Sequence, residues 1–204
     1  MMILHKNGLF LLKTDSYGCL LWVNPQGLLE QLHFGEPIDL SDAEALKRQP
    51  GLGWGSSVLL DDSDSGSCMD TMGLIWSGNG RGDYRESPLE TYVSTDFRYT
   101  GFQIHESAVP MTSGLPQAQG QAQTLEITME QPGLRLKLYF TPFDTVLTRR
   151  AVLENTGNSP IHVHKLMSYM VDLPGNFEMT TFDGGWIAEM RKHTVPVLDS
   201  RVVN

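Results

Sequence analysis

Short runs of alternating apolar and polar residues, broken by Gly, Pro, Asn and Asp, fill the chain and predict strands rather than helices. The clearest are residues 124–130, where Leu125, Ile127 and Met129 share one face, and residues 134–140, where Leu134, Leu136, Leu138 and Phe140 do. Between them Gln131-Pro132-Gly133 is a hairpin turn, Pro presetting φ and Gly accepting a positive one. A second hairpin is predicted from residues 146–155, turning through 155–160 and returning as a long strand over 161–171. Upstream, residues 9–13, 17–23 and 28–34 read as a meander that turns at Asn24-Pro25-Gln26-Gly27. Residues 177–181 and 186–195 make a last pair across Asp183-Gly184-Gly185. One short helix is predicted over 42–49, since Ser41 with Glu44 spells a capping box and Glu44 with Arg48 an i,i+4 pair, and Pro50-Gly51 ends it. Many short strands without regular helices between them predict an all-β, antiparallel β-sandwich with that one helix.

The pattern breaks down between Gly51 and Gly82 into Gly, Ser and Asp with scattered apolar residues, including Trp54 and Trp76. A connection of that length is usually functional or disordered. Two tryptophans in it need packing or a partner.

With 204 residues and 40% hydrophobic content, the chain has enough apolar material for a sizeable core. A net charge of −9 argues against nucleic acid and anionic membranes as partners and leaves a neutral partner such as a sugar open. Two cysteines, Cys19 and Cys68, are too few for a disulfide framework and read as buried free thiols. The opening Met-Met-Ile-Leu-His-Lys-Asn-Gly has no basic start leading into a sustained apolar run, and no Asn-x-Ser/Thr acceptor occurs, so a cytoplasmic location is expected.

Several motifs fall short of a chemistry. Counted from Asp62, the Asp61-Asp62-Ser63-Asp64 run lacks the glycine at the sixth and the glutamate at the twelfth position of a calcium loop. His162 and His164 share a strand face but have no third ligand nearby in sequence. The Gly51-x-Gly53-x-Gly55 and Gly78-x-Gly80-x-Gly82 runs carry no P-loop lysine, and Arg81-Gly82-Asp83 is too short to mean adhesion. No metal and no cofactor is expected. Glycoside hydrolysis needs two carboxyl groups flanking the bond, and Asp70, Glu86, Glu90 and Glu106 stand in no recognisable catalytic context. Trp76, Arg81, Asp83, Tyr84 and Arg85 could meet a sugar through an aromatic face and charged hydrogen-bonding groups. Asp83 and Arg85 could equally pair with each other and hold a turn.

Gly82-Asp83-Tyr84-Arg85-Glu86, then Leu89-Glu90-Thr91-Tyr92-Val93, Asp96-Phe97-Arg98-Tyr99 and Gly114-Leu115-Pro116, stand in one order with short spacers. This resembles the amino-terminal β-domain of the glycoside hydrolase family 36 α-galactosidases. The likeness extends over nearly the whole chain, from Phe10-Leu11-Leu12-Lys13-Thr14 and Gly27-Leu28-Leu29-Glu30 through Thr124-Leu125-Glu126-Ile127, Val146-Leu147-Thr148-Arg149-Arg150, Leu153-Glu154-Asn155 and Asp172-Leu173-Pro174 to Asp199-Ser200-Arg201. It implies a mutarotase-like supersandwich that precedes a (β/α)₈ barrel holding both catalytic aspartates. A barrel takes about 250 residues, so residues 1–204 are expected to be an incomplete amino-terminal portion, inactive alone, whose partners are the barrel domain, α-galactoside sugars and other copies in a homo-oligomer. The resemblance further implies that a β-domain loop reaches a sugar-pocket mouth, with Asp70, Trp76, Asp83, Tyr84 and Arg85 as the substrate-binding positions. Two rivals remain. One is a stand-alone carbohydrate-binding module. The other is a mutarotase-like epimerase using His105 and Glu106, disfavoured because neighbours on a strand face opposite sides.

Overall fold

The computed structural model describes residues 2–47, 69, 72–79, 83, 85–110, 114, 116–173 and 175–197; the Gly51-x-Gly53-x-Gly55 run with Trp54, the Asp61-Asp64 run, Cys68 and part of the Gly78-x-Gly80-x-Gly82 run lie outside them. The chain divides into two units, Met1–Asp172 and Leu173–Asn204.

The first unit opens with an antiparallel meander of β1 (Met2–Lys6), β2 (Leu9–Lys13), β3 (Gly18–Val23) and β4 (Leu29–Gly35). β1 is absent from the strands predicted above, yet its turn is written in the sequence. Asn7 and Gly8 both take positive φ, 51° and 76°, and join Lys6 to Leu9 in a two-residue hairpin. That is the Asn-Gly primed turn whose twist matches the strands it connects. At the next predicted turn, Asn24 accepts hydrogen bonds from the Gln26 and Leu28 amides on its Oδ1 (3.1 and 2.9 Å), and Gly27 takes φ +76°.

β2 and β3 are buried on both faces, which is why they read as near-continuous apolar runs. Phe10, Leu12, Cys19 and Leu21 face the second sheet, whereas Leu9, Leu11, Leu20 and Trp22 are covered by Ile38, Leu40 and Ala43 from the following segment. In that segment the predicted helix shrinks to a single 3-10 turn, Ala43–Leu46. Asp42 precedes it without a side-chain cap, and Glu44 pairs with Lys47 at 2.7 Å; Arg48, the partner expected from the sequence, lies outside the described residues. Lys47 is already extended, and four residues cannot repay the cost of nucleating an α-helix.

After β5 (Leu89–Thr91), the second large sheet runs β6 (Arg98–His105), β7 (Thr124–Gln131), β8 (Leu134–Pro142) and β9 (Leu147–Asn155), each antiparallel to the next. Gln131 pairs with Leu134 across Pro132-Gly133, with Gly133 at φ +81°, as the turn residues predict. Leu125, Ile127, Met129, Leu134, Leu136, Leu138 and Phe140 form one core with Phe10, Leu12, Cys19, Leu21 and Leu29 of the first sheet. The two sheets therefore pack face to face as a sandwich. The opposite face of the second sheet is charged. Glu126, Lys137, Glu154, Arg135 and Glu130 form a cross-strand ladder of ion pairs at 2.6–3.8 Å, and His105 hydrogen-bonds Glu126 at its end (2.8 Å).

The predicted long return strand is not a hairpin partner of β9. Only Val163–Leu166 is a strand, β10, and it pairs with β5. Lys165 reaches across that pair to Glu86 at 2.6 Å and also binds Glu90. Alternation over 161–171 identified an extended segment, but the partner lies some seventy residues upstream and leaves no local sign.

The second unit contains one hairpin, β11 (Glu178–Asp183) and β12 (Arg191–Pro196), in the register Glu178↔Pro196 to Asp183↔Arg191. Its turn runs beyond Asp183-Gly184-Gly185 because Ile187 and Met190 sit at φ 65° and 58°, which interrupts the extended run expected from Trp186 onward.

Cys19 is buried and its thiol is pushed up to about 12 by burial. Iodoacetamide at pH 8, mapped by mass spectrometry, is expected to leave Cys19 unmodified in the folded chain and to label it after denaturation. Rapid labelling under native conditions would contradict the burial.

Candidate functional site

Residues 73–75 lie along β4 and begin a pinned rail that runs on to Asn79. The Gln31 amide donates to the Gly73 carbonyl (2.8 Å), the Ile75 amide to the Leu29 carbonyl (3.0 Å), and Leu74 bridges Glu30. Only glycine fits at 73, since a Cβ there would lie 2.8 Å from the Gln31 oxygen. Further on, the Thr95 amide donates to the Asn79 carbonyl and the Asn79 amide to Thr95 Oγ1, both at 3.0 Å. Behind the rail the buried Asn24 donates from Nδ2 to Glu30 Oε1 at 2.9 Å.

Asp83 and Arg85 close on each other. The Arg85 backbone amide and Nε both donate to Asp83 Oδ1 at 3.0 Å, and Nη2 donates to Oδ2 at 3.0 Å. The remaining guanidinium hydrogens go to the Met72 carbonyl (2.6 Å), the Met69 carbonyl (2.8 Å) and Asp172 Oδ2. An arginine has five N–H donors, and here all five have acceptors within the chain. The Asp83 side chain is wholly buried. Burial works to raise its carboxyl, and the hydrogen bonds and charge of Arg85 outweigh that and hold it below the ordinary carboxylate range. Such a group is neither a proton donor nor a free base at neutral pH. It fixes a turn and, through Arg85, the carbonyls at the start of the rail.

A second arginine acts on the rail from the opposite sheet. Arg149 stands on the inward side of β9, in line with Leu147, Ala151 and Leu153. Its Nη2 donates to the Ile75 carbonyl (2.8 Å) and its Nη1 to the Met170 carbonyl (2.9 Å). The guanidinium lies over the rings of Tyr169 and Phe140, 4.7 and 5.2 Å from their centroids. Burial pushes it down to about 10.

Of the residues proposed from sequence, Trp76, Asp83 and Arg85 are all tied to this rail. Asp70, Arg81 and Tyr84 lie outside the described residues. Trp76 is only 2% exposed and packs in the shared core. Sequence reasoning missed the role of Arg149, although a charge amid the inward-facing positions 147, 149, 151 and 153 was the available sign. His105 pairs with Glu126 at 2.8 Å and not with Glu106, whose Oε2 accepts from Gln123 Nε2. His162 and His164 flank the exposed Tyr92 ring edge-on, with centroids 5.8 and 4.5 Å away. Among the described residues no three His, Cys, Asp or Glu side chains are grouped to hold a metal, and no helix is long and apolar enough to cross a membrane.

Two packed antiparallel sheets carrying a pinned edge segment define an all-β sandwich module. A profile of the glycosyl hydrolase family 36 N-terminal domain matches residues 27–203, and the chain belongs to that family. Comparison with curated proteins gave no match. Among solved structures, the chain resembles the galactosidase domain of the α-galactosidase-sucrose kinase AgaSK, at 24% identity and a TM-score of 0.84 over 96% of this chain and 29% of that one. It also resembles the α-galactosidase AgaB from Geobacillus stearothermophilus, at 22% identity and a TM-score of 0.83 over 97% and 29% of the two chains. A variant of AgaA from the same organism, solved in complex with raffinose, matches at 24% identity and a TM-score of 0.80 over 93% and 28%. These likenesses establish the fold, and the chain spans less than a third of the length of each.

Proposed function

We propose that this chain is the amino-terminal, non-catalytic part of an α-galactosidase that hydrolyses terminal α-galactosides of the raffinose kind. The carrying observation is the family match over residues 27–203. Support comes from the solved neighbours, which are α-galactosidases more than three times as long as the matched portion. Both catalytic carboxylates then belong to a barrel elsewhere in the polypeptide, which agrees with an Asp83 whose oxygens are already occupied.

In this reading residues 1–204 form part of the β-domain, and the segment bearing Asp70, Trp76, Asp83, Tyr84 and Arg85 shapes the mouth of the sugar pocket. Trp76, Asp83 and Arg85 serve as its frame, and Asp70 and Tyr84 are the positions proposed for direct sugar contact. The enzyme works as a cytoplasmic homo-oligomer in which this domain supplies intersubunit contacts.

The test compares the 204-residue chain with the full-length polypeptide on a chromogenic α-galactoside and on raffinose. Turnover is expected from the full-length polypeptide and none from the chain alone. Turnover by the 204-residue chain would refute the division of labour. Galactose binding by the chain alone at micromolar Kd, about −8 kcal/mol, would favour a stand-alone carbohydrate-binding module.

A further inference from the structure

A guanidinium drawn far enough out of water to lose proton affinity is an expensive way to fill the side of a core, where a methionine or leucine packs without desolvating a charge. Among the described residues Arg149 has no carboxylate partner, and its Nε is sealed from solvent without an acceptor. The arginine does supply a planar fork. One arm ends on the carbonyl of Ile75, immediately before Trp76, and the other on the carbonyl of Met170. Arg85 joins the same two stretches, through Met69 and Met72 on one side and Asp172 on the other. The edge rail and the segment ending at Asp172 are thus stitched together twice. Only the stitch from Arg149 originates in the opposite sheet, on β9.

We infer that Arg149 is a positioning residue, setting the placement of residues 74–79 relative to the second sheet by bridging the Ile75 and Met170 carbonyls. This rests on the reading that the same segment borders a galactoside pocket. Arg149 touches no substrate and acts through the backbone that it holds. Lysine keeps the charge but presents a single ammonium where the fork reaches two acceptors. Arg150 provides the internal control. It is the adjacent residue on the opposite face of β9, over the Tyr139 ring at 4.4 Å and donating to the Pro110 carbonyl, away from the rail.

The experiment uses the full-length polypeptide containing this chain, as wild type, Arg149→Lys, Arg149→Met and Arg150→Lys. Steady-state hydrolysis of raffinose is measured beside hydrogen exchange of the backbone amides. For Arg149→Lys, KM is expected to rise about tenfold with kcat within about twofold, and Arg149→Met to behave alike or worse. Amides of residues 74–79 should exchange faster while those of β7 and β8 keep their protection. Arg150→Lys should match wild type in both readouts. An unchanged KM in Arg149→Lys would overturn the inference. So would a joint fall in kcat and in β7–β8 protection, which marks general destabilisation. If wild type hydrolyses no α-galactoside, the proposed function fails. The exchange pattern alone then decides the role of Arg149, and unaltered exchange at 74–79 overturns it.

Discussion

Arg85→Met is expected to destabilise the Met1–Asp172 unit by about 3–5 kcal/mol, because removing one partner of a buried ion pair leaves the other charge uncompensated. The stranded group is Asp83, whose side chain has no solvent contact. The carbonyls of Met69 and Met72 lose their donors in the same step, at about 1–3 kcal/mol for each one that stays buried. Urea unfolding followed by circular dichroism should show an earlier midpoint with little change in slope. Combining it with Asp83→Asn should restore part of the loss, since the two residues act as one unit. The pH dependence has a fixed sign. Arg85 holds the folded Asp83 carboxyl below its unfolded value, so its contribution is present above the ordinary carboxylate range, about pH 4, and is lost as pH falls through the folded value. The stability gap between wild type and Asp83→Asn should therefore narrow on going to pH 3. A gap that stays constant from pH 7 to pH 3 would mean that Asp83 is not held as an anion.

Trp76→Ala is expected to cost a similar amount, about 3–5 kcal/mol, for a different reason. Its ring is a packing element at 2% exposure, among Ile75, Leu89, Phe97 and the inward side chains of both sheets. Truncation opens a cavity where the rail meets the core, and Trp76→Phe should recover much of the loss by refilling it. Differential scanning calorimetry of the three proteins gives the comparison. A Trp76→Ala chain that unfolds within about 1 kcal/mol of wild type and has lost affinity for galactose would place the ring in a sugar site instead.

The fold was legible wherever pairing is local. Alternation through Leu125, Ile127 and Met129, a Pro-Gly turn and alternation through Leu134, Leu136 and Leu138 announce β7 and β8 because the whole hairpin lies within twenty residues. β6 was harder to see, since Gly101 and a register shift between Tyr99 and Gly101 break its period. β10 was over-extended because apolar periodicity reports an exposed or buried face and says nothing of a partner as remote as β5. At the candidate site, the Asp83-x-Arg85 spacing was visible as a possible pair. What the sequence hid was the other end of each arginine. Arg149 grips two backbone carbonyls and Arg85 adds two more to its carboxylate bonds, and a backbone carbonyl is something every residue carries and no letter of the sequence distinguishes.

The order in which the sandwich is written imposes a wait on its synthesis. β4 is complete at Gly35, but the two central strands of the facing sheet, β7 and β8, begin only at Thr124. At ~5–20 residues per second the interval lasts ~5–20 s. During that time Phe10, Leu12 and Leu21 stand on the ribosome without Leu125, Ile127, Leu136 and Leu138, which complete their core. A nascent chain of this design calls for a holding chaperone, and slowing elongation between Gly35 and Thr124 would lower its soluble yield.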